Sequence, residues 1–122
     1  MRILAIETSA VTCSAAFFDG ERFYESFVNN GLNHSRTLME LVDGVFGQAG
    51  ASPSDVDLFA CSAGPGSFTG VRIGVSAVKG MARAANKPCA GVSTLHAIAQ
   101  SVPDDIGDGV VVCVMDARRG QF

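Results

Sequence analysis

Apolar residues fall in short runs over the first 28 positions of this chain and then change to a helical spacing. That change sets out the elements. Arg2-Ile-Leu-Ala-Ile-Glu7 reads as a strand, Thr8-Ser-Ala-Val-Thr12 as a polar turn and Cys13-Ser-Ala-Ala-Phe-Phe18 as a second strand. Asp19-Gly20 is a hairpin turn signal, and Phe23-Tyr-Glu-Ser-Phe-Val28 alternates as a third strand. From Ser35 to Ala49, Leu38, Leu41, Val42, Val45, Phe46 and Ala49 share one helical face, and Gly50 ends the helix. Ser52-Pro-Ser-Asp55 is a turn and Val56 to Ser62 a fourth strand. A glycine-rich loop and a helix over 67–85 follow, stopped by Asn86-Lys87-Pro88. Cys89 to Ser93 reads as a short strand, Thr94 to Ser101 as a short helix, and Val110 to Met115 as one more strand.

Three meandering strands, helix, strand, helix, strand, helix is the order of a ribonuclease-H-like α/β domain, with a mixed sheet and flanking helices. The expected division is one domain over 1–103, a polar linker over 104–109, and the first strand of a second, truncated domain over 110–122. Composition agrees with a folded domain: 48% of the 122 residues are hydrophobic and 17% charged. The net charge of -3 leaves no dense basic patch for nucleic acid. The nearest to one are Arg72, Lys79, Arg83 and Lys87 along one helix, and the pair Arg118-Arg119. The chain begins in a strand rather than a signal peptide, and no apolar run approaches the roughly 20 residues of a membrane span. Cys13, Cys61, Cys89 and Cys113 show no paired spacing, and buried free thiols in a cytoplasmic protein are expected.

The segment from Ser62 to Gly74, Ser-Ala-Gly-Pro-Gly-Ser-Phe-Thr-Gly-Val-Arg-Ile-Gly, concentrates the chemistry. Gly64, Pro65, Gly66 and Gly70 force a tight strand-to-helix turn. Ser67 and Thr69 can cap the helix, whose first amides then point at the loop. Such a loop either cradles a phosphate or carboxylate or is simply a compact turn. Behind it, Gly70, Gly74 and Ala77, extended by Gly80 and Ala84, recur at helical spacing and let another element approach closely. Inside the domain that element would be the first helix; between chains it would be a partner.

Five segments in order resemble one family, TsaB (also called YeaZ), of the actin/hexokinase-like superfamily. They are Ile6-Glu7-Thr8-Ser9, Asn33-His34-Ser35, the stretch from Ala63 to Gly74, Gly91-Val-Ser-Thr-Leu95, and Asp116-Ala-Arg-Arg-Gly120. The resemblance implies an actin-like domain and a part in making threonylcarbamoyladenosine beside the tRNA anticodon. It implies a cytoplasmic, non-catalytic scaffold that binds and activates the paralogue TsaD, with the ATPase TsaE as a further partner and tRNA met only indirectly. It also implies pairing, with TsaD or with itself, through the first two helices. On that basis Leu38, Leu41, Val42, Val45, Gly70, Gly74 and Ala77 are the expected pairing surface.

Two other activities have to be weighed. In the superfamily the first hairpin (here Glu7, Thr8 and Ser9) and a later glycine loop (Gly64, Gly66, Ser67, Thr69) face a nucleotide cleft, so an ATP- or ADP-binding enzyme is the alternative. TsaD carries a metal-binding His-x-x-x-His whose two positions fall here on Thr94 and Ile98, with His96 out of register. No metal, and no cofactor beyond that alternative nucleotide, is expected. His-Glu-x-x-His and Gly-x-Ser-x-Gly are both absent, which makes a glycoprotease-like metallopeptidase the least supported reading.

Overall fold

The computed structural model describes residues 1–29, 34–117 and 120. Strands β1 (Ile3–Glu7), β2 (Cys13–Phe18) and β3 (Phe23–Val28) form the antiparallel meander expected from the sequence. Helix α1 (His34–Ala49) leads through a 3-10 turn (Pro53–Asp55) to β4 (Leu58–Ser62). Helix α2 (Phe68–Ala85), strand β5 (Cys89–Val92) and helix α3 (Thr94–Gln100) complete the order. β4 lies parallel to β1 and β5 parallel to β4, giving a mixed sheet in the order β3-β2-β1-β4-β5. The α/β architecture is the one anticipated.

Register decides where the core lies. Leu4 pairs with Phe17 and with Phe59, and Ile6 with Ala15 and with Cys61, so these side chains share one face of the sheet. α1 covers that face over β2 and β3, and α2 covers it over β4. The apolar stripe of α1 (Leu38, Leu41, Val42, Val45, Phe46) is buried against it, and the rings of Phe46 and Phe17 meet at 5.4 Å, tilted by 60°. The opposite face is thinly covered. Phe23 and Phe27, on β3, remain exposed there, and Phe18 stacks on Phe23 at 4.6 Å.

Local chemistry sets the ends. Asp19 Oδ1 accepts the Glu21 and Arg22 amides and closes the β2–β3 hairpin, and these bonds hold its carboxyl below the usual carboxylate range. Asn86 takes a left-handed conformation (φ 53°) at the end of α2, where the Lys87 amide reaches back to the Ala82 carbonyl at 2.9 Å.

Two expectations need correction. Val110 to Met115 forms no strand: Val110 is 90% exposed and no strand lies beside it among the described residues. A β-strand needs a neighbour to take its amides and carbonyls, and a β-branched run alone does not supply one. The cysteines also divide: Cys13 and Cys61 are buried, whereas Cys89 is exposed and Cys113 half-exposed. Burial, before any neighbouring charge, pushes the Cys13 and Cys61 thiols up from their ordinary value. Arg118, Arg119 and Asn33 lie outside the described residues.

Two outcomes test this core. Phe17→Ala removes a ring with no solvent exposure and is expected to cost about 3–5 kcal/mol in denaturant unfolding, against under about 0.5 kcal/mol for Phe23→Ala on the open face. In native iodoacetamide labelling followed by peptide mass mapping, Cys89 modifies first, with Cys13 and Cys61 protected until the protein unfolds.

Candidate functional site

The turn from β1 to β2 and the first half of α2 are built into one another. The Thr8 hydroxyl, buried, donates to the Gly70 carbonyl at 2.6 Å, and the Ser67 amide donates to the Ser9 carbonyl at 2.7 Å. These contacts demand glycine on the helix. A Cβ at Gly74 would stand 2.5 Å from Thr8 Oγ1, and one at Gly70 would collide with the Thr8 carbonyl oxygen. Gly66, in the loop, meets Ser9 in the same way at 2.6 Å. Ser67 is the cap of α2, its hydroxyl accepting the Gly70 amide at 3.2 Å, while Thr69 is an exposed residue inside the first turn and caps nothing. The Gly64–Pro65 peptide is cis, and the Gly64 carbonyl accepts the Thr94 amide at 2.9 Å, tying the loop to the start of α3.

Glu7 stands where the chain changes direction across the sheet. From β1 it runs outward through β2 and β3, then returns to β4 on the other side. The carboxyl ends of parallel strands at such a switch are where open α/β sheets place ligands. Glu7 closes β1 and Ser62 closes β4, and the Ser62 hydroxyl donates to Glu7 Oε2. The Ser9 amide donates to Oε1 at 2.5 Å. The carboxylate is thereby fixed by β4 and by the β1–β2 turn together. Ser62 heads the glycine-rich segment but is not among the expected site residues; a serine closing the apolar run Leu58-Phe-Ala-Cys61 is the signal for it.

The predicted anion group is thus assembled in part. Glu7, Thr8 and Ser9 lie beside Gly66 and Ser67, but the turn already occupies the Ser67 amide and the Ala63 amide goes to the Val92 carbonyl at 2.8 Å. The Ser9 hydroxyl, on a residue 2% exposed, has no hydrogen-bond partner among the described residues.

A family model described as TsaD, tRNA N6-adenosine threonylcarbamoyltransferase, matches residues 30–122. The tRNA threonylcarbamoyladenosine biosynthesis protein TsaB of Escherichia coli (strain K12) is 37% identical over 121 residues, covering 99% of this chain and 52% of that protein. The chain belongs to the TsaB/TsaD family. The Bacillus subtilis (strain 168) TsaB protein is 34% identical over 122 residues, again covering 99% of this chain and 52% of the relative. A solved structure of YeaZ from Pseudomonas aeruginosa superimposes with a TM-score of 0.79 at 36% identity, covering 81% of this chain and 46% of that one. The chain therefore spans about half the length of the curated relatives it matches.

Within the TsaB/TsaD family the positions of the TsaD metal pair do not fit a metal here. Ile98 has no donor atom, Thr94 is buried, His96 is exposed, and no group of three His, Cys, Asp or Glu side chains converges among the described residues. The expected pairing surface is also corrected. Leu38, Leu41, Val42 and Val45 are buried in this domain's own core, and Gly70 and Gly74 are filled by Thr8, so none presents a surface to another chain. Ala77 is half-buried against the same core. The exposed side of α2 carries Phe68, Arg72, Ser76, Lys79 and Arg83 instead. Phe68 is 76% exposed, with the Arg72 guanidinium 5.2 Å above its ring.

The glycines of α2 separate by position. Gly70→Ala is expected to lose most of the folded population, because Thr8 cannot withdraw without breaking its bond to the helix. Gly80→Ala, with nothing within 4 Å of its Cβ, should raise stability by about 0.5–1 kcal/mol. Parallel thermal melts measure both. A stable Gly70→Ala protein would show that the turn does not depend on this contact.

Proposed function

We propose that this chain is the first domain of a non-catalytic subunit that binds and activates a TsaD-type transferase in the making of threonylcarbamoyladenosine on tRNA. The observation that carries the reading is the match of nearly the whole chain to relatives named TsaB, at 37% identity for the Escherichia coli protein. The mismatch at the TsaD metal positions, Thr94 and Ile98, supports a partner rather than the transferase itself. In this reading the catalytic metal and the tRNA belong to the partner. A TsaE-type ATPase joins the same cytoplasmic assembly.

The docking side is the outer face of α2, with Met39 of α1 beside the same helical layer. Phe68 and Arg72 are the residue types that dominate interface energies: a large ring and a cation, both solvent-exposed in the free chain. Arg72, Lys79 and Arg83 make this face basic in a chain of net charge -3, so it suits an acidic patch on the partner. The same face serves a second copy when the transferase is absent.

Co-elution of this chain with the TsaD-type protein of the same source tests the reading. Phe68→Ala and Arg72→Glu should each weaken association at least about tenfold, with unfolding midpoints unchanged because neither side chain is in the core. Retained co-elution in the double variant would move the interface elsewhere. Full-rate tRNA modification by the partners alone would refute the role.

A further inference from the structure

The thinly covered face of the sheet holds a cleft separate from the proposed partner surface. Its volume is about 390 Å³, within the range of small-ligand sites. Ala5, Ala16 and Ala60 make a flat floor of methyl groups, and Ile98 of α3 forms part of the opposite wall. At one end stand Glu7, Ser62 and Thr94. Among the described residues, the cleft is lined by no Lys, Arg or His.

Beside the Ser14 and Ser101 hydroxyls that also line the cleft, Glu7, Ser62 and Thr94 each keep acceptor capacity, the Thr94 hydroxyl being a donor as well. Glu7 receives one hydrogen bond on each oxygen, and a carboxylate offers about four lone-pair positions. Ser62 uses its hydrogen on Glu7 and keeps its oxygen lone pairs. Thr94 Oγ1 is buried, on a residue 4% exposed, and finds no hydrogen-bond partner among the described residues. A buried hydroxyl left unpaired destabilises a fold, so its retention at this spot points to something that pairs with it.

We propose that this cleft binds a small molecule carrying a protonated primary amine on a short aliphatic body. An ammonium has three N–H donors and no acceptor, matching the carboxylate, the Ser62 oxygen and the Thr94 oxygen one for one. Its charge is balanced by Glu7, and its alkyl part lies on the alanine floor. A phosphate is excluded here, because it would face the Glu7 carboxylate with no cation to offset the repulsion. An uncharged apolar body would desolvate Glu7 and return nothing. Any anion held by the glycine loop therefore occupies a different place from this ligand.

Isobutylammonium is a suitable probe, titrated into the isotope-labelled chain and followed by amide shifts in NMR spectra. Saturable shifts at Ser9, Ser62 and Thr94 are expected, with a dissociation constant on the order of millimolar for so small a ligand. Isobutanol and inorganic phosphate should not saturate at these amides. Glu7→Gln, which keeps the shape, should weaken binding at least tenfold. Thr94→Val should weaken it severalfold while leaving the unfolding midpoint equal or higher, since the hydroxyl it removes is unpaired. Ala16→Leu should close the floor and abolish binding. Equal response to isobutanol, saturation by phosphate at the same amides, or unchanged affinity in Glu7→Gln and Thr94→Val would each overturn the assignment. None of these readouts involves the partner protein, so they fail or succeed separately from the scaffold role.

Discussion

The close approach of Thr8 and Ser9 to α2 is the constraint on which the placement of every candidate residue depends. A helix normally keeps a neighbouring backbone at a distance set by side chains, and here Gly70 and Gly74 remove that spacer. The Thr8 hydroxyl then reaches the Gly70 carbonyl, a group whose helical hydrogen bond lies on its other lone pair. The Ser67 amide, one of the donors a helix start leaves without a partner, is taken by the Ser9 carbonyl. Backbone groups that would otherwise need water or a ligand are thus satisfied within the protein, and the turn and helix behave as one unit.

That unit fixes two directions at once. With the small residues of α2 turned toward β1, the large and charged ones on the opposite side are turned outward, which is why Phe68 and Arg72 are exposed together. With the β1–β2 turn held down, Glu7 is brought to the Ser62 hydroxyl across the β1/β4 boundary. The layer of α1 and α2 covers only one face of the sheet, so the Glu7 carboxylate looks along the other, thinly covered face rather than into the core. An exposed aromatic and basic helix side and a cleft ending at Glu7, on opposite sides of one sheet, both follow from the fit of Gly66, Gly70 and Gly74 around Thr8 and Ser9.

Most of the architecture was legible because it rests on local periodicity. Alternation and turn chemistry located β2 and β3 to the residue, and the apolar stripe of Leu38, Leu41, Val42 and Val45 located α1. What the sequence left open was which surface each periodic feature meets. A helical spacing of glycines says that something comes close, without saying whether it is a helix, a second chain or the turn containing Thr8. Val110 to Met115 misled for the opposite reason: its β-branched residues favour an extended backbone, yet a strand exists only with a neighbour to pair with. The proximity of Glu7, Thr8 and Ser9 to Gly66 and Ser67 was expected from the first hairpin and the glycine loop. That Ser62 and the buried Thr94 line one cleft with Glu7 was not legible, because single serines and threonines at element ends carry no distinctive pattern until the fold brings them together.

The burial of the small face also bears on how α2 meets other molecules. A stripe of glycine and alanine invites the inference of tight helix-to-helix contact between chains, a mode that depends on backbones approaching each other. That mode is already used up inside the domain, since the space above Gly70 and Gly74 is occupied by Thr8. The exposed side of α2 carries long side chains, so any contact there would draw on Phe68 area and on guanidinium and ammonium groups rather than on backbone proximity. Association of this second kind is sensitive to salt and to single charge changes, whereas close backbone packing is sensitive to added methyl groups. The packing of Gly70 and Gly74 on Thr8 therefore draws the small residues inward, and so determines that charge and aromatic surface face outward.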